Sequence, residues 1–112
     1  MTRKTIQQDK WSSEFGKDYT DRNPLTFKGM DDLYVKNFGI TRTSLNKEFL
    51  DDMDRSIRIL EVGANVGSQL VGLQNMGFKN LYGIELQNYA VELSRTRLEN
   101  INLIQGSAFD IP

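Results

Sequence analysis

The fold is decided by the stretch ILEVGANVGSQL, residues 59–70, in which a short apolar run ends in an acid and opens into a glycine loop. A strand that leads through a glycine turn into a helix is typical of parallel α/β sheets. Gly63 and Gly67 permit tight turns and close approach to a ligand. The backbone amides at the start of the following helix favour a negatively charged group. The stretch therefore predicts a ligand site at the carboxyl end of the first strand.

From Ser56 onward, short apolar runs alternate with helical segments, which indicates βαβ units around a parallel sheet. Gly77 is expected to end the first helix in a left-handed conformation, and Asn88 is expected to cap the second. The strands are predicted at 57–62, 80–86 and 101–106, and the helices at 67–76 and 89–99. The predicted fold class is α/β, Rossmann-like, with a partial parallel sheet of about three strands.

The N-terminal part of the chain is predicted to be helical. Trp11, Phe15 and Tyr19 recur every four residues and would share one face of a single helix over residues 6–19. A second helix is expected to begin at a Ser44 cap. Between them, MDDLYVKNF is compatible with a short helix, although this segment is not decided by its pattern.

We divide the chain into an N-terminal helical lid or extension, residues 1–55, and a cofactor-binding half domain, residues 56–112. A parallel sheet is normally covered on both faces, and three strands would leave one face and one edge uncovered. We therefore expect the chain to be the N-terminal half of a larger Rossmann-like domain.

The composition excludes several classes of protein. The net charge of −1 lacks the basic excess that nucleic-acid binding usually requires. No window approaches the roughly 20 apolar residues of a membrane span, and no signal peptide is evident, so a cytoplasmic protein is expected. The absence of cysteine and histidine removes thiolate zinc sites, cysteine nucleophiles and the commonest metal ligand. No metal site is predicted.

The spacing of the loop separates two cofactors. A dinucleotide fingerprint beginning at Gly63 would need glycines at positions 65 and 68, which hold Asn65 and Ser68. The sequence reads E-x-G-x-N-x-G instead, from Glu61 to Gly67. This run resembles motif I of the class I S-adenosylmethionine-dependent methyltransferases, in which a third glycine usually stands in place of Asn65. Asparagine tolerates a left-handed backbone, so the departure is mild.

The resemblance implies how the loop would act. Glu61 would order the loop and the methionine end of S-adenosyl-L-methionine, and the backbone from Gly63 through Ala64 and Asn65 to Gly67 would pass alongside the cofactor. An ordinary tight turn of any α/β protein is the alternative interpretation.

Two further segments fit the same cofactor. Glu85 ends the second strand, where an acid accepts hydrogen bonds from ribose hydroxyls, and Leu86 or Gln87 would flank the adenine. The segment QGSAFDIP resembles the family's G-D-A-x-x-L-P, in which the acid after the glycine contacts the adenine amino group. Ser107 stands in that place, and its hydroxyl or Asp110 is the candidate substitute. Ala108 and Phe109 would supply backbone contacts and an apolar face.

The N-terminal pattern W-x-x-E-F-G-x-x-Y-x-x-R-N, residues 11–23, is similar to a narrower group, the methyltransferases associated with pseudaminic acid biosynthesis. On one helix face, Tyr19 and Arg22 could meet the cofactor's carboxylate with a hydroxyl and a guanidinium. In the alternative, Trp11, Phe15 and Tyr19 form a core stripe and Arg22 is solvated.

The resemblance implies a methyltransferase, or its cofactor-binding half, acting on a small-molecule methyl acceptor such as a sugar-related metabolite. No catalytic residue is assigned, because acceptor-binding and base residues of this superfamily usually follow the fourth and later strands. The alternative is a noncatalytic module that binds a nucleoside or a partner chain. An NAD-dependent oxidoreductase is a third hypothesis, disfavoured by Asn65 and Ser68.

Overall fold

The computed structural model describes residues 6–22 and 26–111. Within them the chain is an α/β protein with a three-stranded parallel sheet, as predicted. Across the described residues, the elements follow one another as α1 (Ile6–Ser12), α2 (Glu14–Arg22), α3 (Phe27–Phe38), α4 (Arg42–Leu50), β1 (Arg58–Val62), α5 (Ser68–Asn75), β2 (Asn80–Glu85), α6 (Asn88–Arg95) and β3 (Asn102–Gln105). No helix in these ranges is long and apolar enough to cross a membrane.

The strand order is β1-β2-β3, so that β2 is paired on both sides. Because side chains alternate along a strand, the register places Ile59 beside Leu81 and Glu61 beside Gly83 on one face. This face packs against α5 and α6, and the core is formed by seven buried residues: Ala64, Leu70, Leu73, Phe78, Leu81, Val91 and Leu103.

The other face of the sheet is largely open. Leu60, Val62, Tyr82 and Ile104 lie on it and are between 37% and 51% exposed. The outer edges of β1 and β3 have no strand partner among the described residues. The expected open face is observed, whereas both edges of the sheet, rather than one, lack a strand partner in this part of the chain.

Glycines set both ends of α5. Gly67 precedes the helix with φ +84°, and Gly77 follows it with φ +101°. The Gly77 N–H donates to the Gln74 carbonyl, and the Phe78 N–H donates to the Leu73 carbonyl. The predicted left-handed end at Gly77 is confirmed, and it turns the chain so that Phe78 enters the core.

Two predicted helix caps are wrong by a small shift in sequence. The Thr41 side chain, rather than that of Ser44, caps α4, and it accepts from the Ser44 N–H. The Gln87 side chain caps α6 by accepting from the Tyr89 N–H, and Asn88 is already the first helical residue. Ser44 lies in the first turn of α4, where its hydroxyl accepts from the hydroxyl of the Thr41 cap.

The prediction of one helix over residues 6–19 is wrong, because the chain bends at Ser13 between α1 and α2. The hydroxyl groups of Ser12 and Ser13 donate to the carbonyls of Gln8 and Lys10, respectively. Such side-chain bonds compete with the helical backbone pattern. Phe15 is 40% exposed and does not continue a buried stripe.

The undecided segment before α4 forms the 12-residue helix α3. The Thr26 side chain caps its start by accepting from the Gly29 N–H, and Gly39 ends it with φ +76°. Asp31 ties α3 to α4 by accepting from both the backbone N–H and the hydroxyl of Thr43.

Candidate functional site

A cavity of about 380 Å³ lies at the carboxyl ends of the three strands. Its volume falls within the roughly 300–1,000 Å³ of small-molecule sites. It is lined by Gln7, Gln8, Gly16, Val62, Gly63, Asn65, Ile84, Glu85, Leu86, Gln87, Gly106, Ser107, Ala108 and Phe109. This is the edge of the sheet at which parallel α/β proteins bind ligands.

The glycine loop after β1 is fastened to the central strand. The N–H groups of Gly63 and Ala64 both donate to the Ile84 carbonyl, at 2.9 and 3.1 Å. Gly63, Asn65 and Gly67 all have positive φ, at +74°, +52° and +84°. The expectation that Asn65 can replace a glycine in a left-handed position is confirmed.

Glu85 joins the loop to the start of α6. One carboxylate oxygen accepts from the Asn65 N–H at 2.8 Å, and the other accepts from the Gln87 N–H at 2.6 Å. These two bonds orient the carboxylate at the cavity wall. Because each carboxylate oxygen can accept two hydrogen bonds, both oxygens keep capacity for ligand hydroxyls.

Glu61 lies on the covered face of the sheet and does not line the cavity. Its Oε1 is buried and has no hydrogen-bond partner in the described part of the chain. The pKa of Glu61 is raised from 4.5 to about 7, because burial raises it more than the nearby Arg42 lowers it, and Glu85 adds to the increase. The side chain is therefore close to half protonated at neutral pH.

Arg42 belongs to a polar cluster beside Glu61. Its guanidinium donates to Gln69 at 3.1 Å and to the Tyr34 hydroxyl at 2.7 Å. Gln69 and the buried Asn46 exchange two hydrogen bonds through their amides. This cluster joins α3, α4 and α5 behind the loop and thereby supports it.

Asn65 carries the other buried acceptor without a donor. Its backbone N–H is used by Glu85, whereas its Oδ1 has no hydrogen-bond partner among the described residues. An unsatisfied buried polar atom is costly, and Asn65 lines the cavity. The Oδ1 atom itself is shielded from solvent, so the loop carries this cost in the described part of the chain.

The segment after β3 forms another wall. The Ser107 hydroxyl accepts from the Phe109 N–H at 3.1 Å, and the Ser107 carbonyl accepts from the Asp110 N–H. Phe109 is mostly exposed and lines the cavity, which suits a flat apolar ligand surface. Of the two candidate substitutes for the missing acid, Ser107 lines the cavity and Asp110 does not.

The N-terminal helix pair, α1 and α2 (residues 6–22), closes the cavity from above the strand ends. The Gln8 amide donates to the Ser107 hydroxyl, and the Gln87 amide donates to the Ser13 carbonyl at 2.9 Å. Outside the cavity, the Tyr89 hydroxyl donates to Asp21. Tyr19 and Arg22, which were predicted to act from this helix pair, lie in α2, but their side chains are outside the part of the chain that the structure describes.

Eight of the predicted site residues line the cavity: Gly63, Asn65, Glu85, Leu86, Gln87, Ser107, Ala108 and Phe109. Three others do not, since Glu61 is on the covered face, Ala64 is a core residue, and Gly67 packs against Leu98 and Leu103. None of these three residues borders the cavity.

Sequence reasoning missed six residues of the cavity lining: Gln7, Gln8, Gly16, Val62, Ile84 and Gly106. Val62 and Ile84 immediately precede predicted site residues, so their strand-end positions were a usable signal. Gln8 and Gly16 had no such signal, because only the docking of α1 and α2 brings them to the strand ends.

No protein-family model matches this chain, and no curated protein matches it.

Proposed function

We propose that this chain is the S-adenosyl-L-methionine-binding part of a Rossmann-like methyltransferase that acts on a small molecule. The observation that carries the proposal is Glu85, an acid at the end of β2 whose two oxygens are fixed by the amides of Asn65 and Gln87 at the cavity wall. A carboxylate so held suits the two adjacent hydroxyls of a ribose.

The cavity lining fits the two ends of this cofactor. The segment from Ser107 to Phe109 offers a hydroxyl, backbone groups and an apolar face for an adenine. The glycine loop borders the cavity at Gly63 and Asn65 and offers its backbone to the methionine part. A 2′-phosphate would be repelled by Glu85, which argues against NADP.

When bound, S-adenosyl-L-methionine supplies a methyl group on a cationic sulfur, which is transferred by in-line displacement. Residues of this chain would orient the cofactor through Glu85 and the loop after β1. Positioning of reactants can supply roughly 7–11 kcal/mol of the barrier reduction. The methyl acceptor proposed is a small molecule, with a sugar-related metabolite as the first class to test.

The test is calorimetric titration of the purified chain with S-adenosylmethionine, S-adenosylhomocysteine and NAD. We expect submillimolar binding of the first two ligands and a loss of at least tenfold in affinity for Glu85→Ala. Glu48→Ala, which removes an exposed acid from α4, is the matched control and should bind as the unaltered chain does. Binding of NAD alone would overturn the proposal.

A second candidate function is a noncatalytic module that binds a partner chain. The open sheet face with Leu60, Val62, Tyr82 and Ile104 favours it, because exposed apolar patches often mark interaction surfaces. In the same titrations, a folded chain that binds none of the three ligands would favour this second function.

A further inference from the structure

Gln8 differs from its neighbours on α1. Gln7, Asp9 and Lys10 are exposed, whereas Gln8 is only 8% exposed and lines the cavity. Its amide nitrogen donates to the hydroxyl of Ser107, which is 99 residues away in sequence. This hydrogen bond offsets the cost of burying the amide, and it holds the Gln8 carboxamide beside Ser107 at the cavity wall.

The position of Gln8 indicates what it can recognise. Ser107 stands at the wall assigned to the nucleobase, where this chain has no carboxylate. A carboxamide carries both donor and acceptor atoms. The Ser107 hydroxyl already accepts from Gln8 and from the Phe109 N–H, and its own O–H remains to donate to a ligand. Glutamine amides pair with adenine through its amino group and the adjacent ring nitrogen. Hypoxanthine presents a carbonyl oxygen in place of that amino group.

We propose that Gln8, acting with Ser107, is a specificity-determining residue that selects an adenine over a hypoxanthine ligand. This inference rests on the proposed function, because it assumes that the cavity binds an adenosine-containing cofactor. It adds a residue of the N-terminal helix pair to the recognition of the base.

A purely structural role for Gln8 makes a different prediction. If Gln8 only held the N-terminal helix pair on the cavity, its loss would weaken adenine and hypoxanthine ligands by the same factor. If Gln8 reads the base, its loss would change the ratio of the two affinities. The ratio is therefore the informative quantity, and the affinity for one ligand is not.

The experiment is calorimetric titration of the full chain with S-adenosylhomocysteine and with S-inosylhomocysteine, its hypoxanthine counterpart. We expect the unaltered chain to prefer the adenine ligand by about tenfold or more, as a good bidentate contact would provide. Gln8→Leu should reduce the preference to within threefold. Gln8→Leu combined with Ser107→Asp should restore it, since the new carboxylate can accept from the adenine amino group.

The control for helix docking is Tyr89→Phe. This change removes the hydrogen bond from Tyr89 to Asp21 that ties α2 to α6, and Tyr89 does not line the cavity. Tyr89→Phe should leave the ratio of the adenine-ligand and hypoxanthine-ligand affinities unchanged, even if it weakens the binding of both ligands. Circular dichroism of each variant verifies that it is folded. If Gln8→Leu does not fold, Ser107→Ala tests the same contact from the side of its partner.

The two proposals fail in different ways. Equal binding of both ligands by the unaltered chain, or an unchanged ratio in Gln8→Leu, would overturn the role of Gln8 and leave the cofactor proposal standing. Absence of binding of S-adenosylhomocysteine by the folded, unaltered chain would overturn the cofactor proposal, and the role of Gln8 with it.

Discussion

Glu61 is an acid that folding places where its charge is disfavoured. It lies on the covered face of the sheet, with a buried Oε1 that has no partner among the described residues. Arg42 is near enough to stabilise the charge but directs its own hydrogen bonds to Gln69 and Tyr34. The carboxyl group of Glu61 therefore titrates near neutral pH.

Glu61 should make the chain less stable as the pH rises. Its pKa is raised from 4.5 to about 7, so the unfolded chain loses this proton before the folded chain does. The contribution of the neutral form is complete below pH 4.5 and is lost as the pH rises to about 7. Glu61→Gln should therefore match the unaltered chain near pH 4.5 and exceed its stability at pH 8.5, by on the order of 1–3 kcal/mol.

Urea denaturation at the two pH values measures this difference. The exposed Glu48→Gln is the control, and its stability relative to the unaltered chain should not depend on pH in this way. A Glu61→Gln variant that is less stable than the unaltered chain at pH 8.5 would contradict the assignment of Glu61 as a disfavoured charge.

Gly63 and Gly67 separate two reasons for a glycine. Both have positive φ, but a Cβ at Gly63 would meet nothing within 4 Å, whereas a Cβ at Gly67 would lie 2.7 Å from a methyl carbon of Leu98. Gly63→Ala should cost about 1–2 kcal/mol of stability from backbone strain alone. Gly67→Ala should cost a further 1–3 kcal/mol, approximately, from overpacking. If thermal denaturation showed the same loss of stability for Gly63→Ala and Gly67→Ala, the Leu98 side chain would move aside freely.

At the scale of elements, the position of α5 depends on close contact with α3. A Cβ at Gly72 would lie 2.2 Å from the ring of Phe27, the first residue of α3. Glycine lowers helix propensity by about 1 kcal/mol relative to alanine. Glycine at position 72 therefore lowers the stability of the helix but allows the Phe27 ring to pack closely against α5.

A double-mutant cycle tests this contact. Gly72→Ala alone should destabilise the chain by about 1–3 kcal/mol, because overpacking outweighs the gain in helix propensity. In a Phe27→Ala background the same change should be neutral or stabilising. Chemical denaturation of the four proteins gives the coupling free energy. If Gly72→Ala had the same effect in both backgrounds, Phe27 would not be the cause.

At the scale of the whole molecule, the elements that depend on local sequence patterns could be predicted. The alternation of apolar runs and helical segments after Ser56 predicted the parallel sheet. The loop glycines and Gly77 predicted the bounds of α5 to within a few residues. Eight of the predicted site residues line the cavity because strand ends converge at one edge of a parallel sheet.

The remainder depends on long-range contacts that no local pattern encodes. The burial of Gln8 follows from the docking of α1 on a strand end 99 residues away. The break at Ser13 follows from hydroxyl bonds that compete with the helix, against an aromatic spacing that indicated one helix. Glu61 and Glu85 lie on the same face of the sheet, but Glu61 pairs with Gly83, two residues before the Glu85 strand end, and therefore lies below the cavity wall.

The attachment of the glycine loop to β2 has a consequence for solvent exchange. The N–H groups of Gly63 and Ala64 share the Ile84 carbonyl, and Ile84 belongs to the strand that is paired on both sides. These two amides can meet water only when the attachment to β2 opens. In a hydrogen–deuterium exchange measurement they should exchange at rates near those of β2, and far more slowly than amides of the exposed 51–54 turn. If the two loop amides exchanged as fast as those of the turn, the attachment to β2 would be contradicted. If they exchange as slowly as β2, the loop keeps its shape over times in which ordinary surface loops open repeatedly.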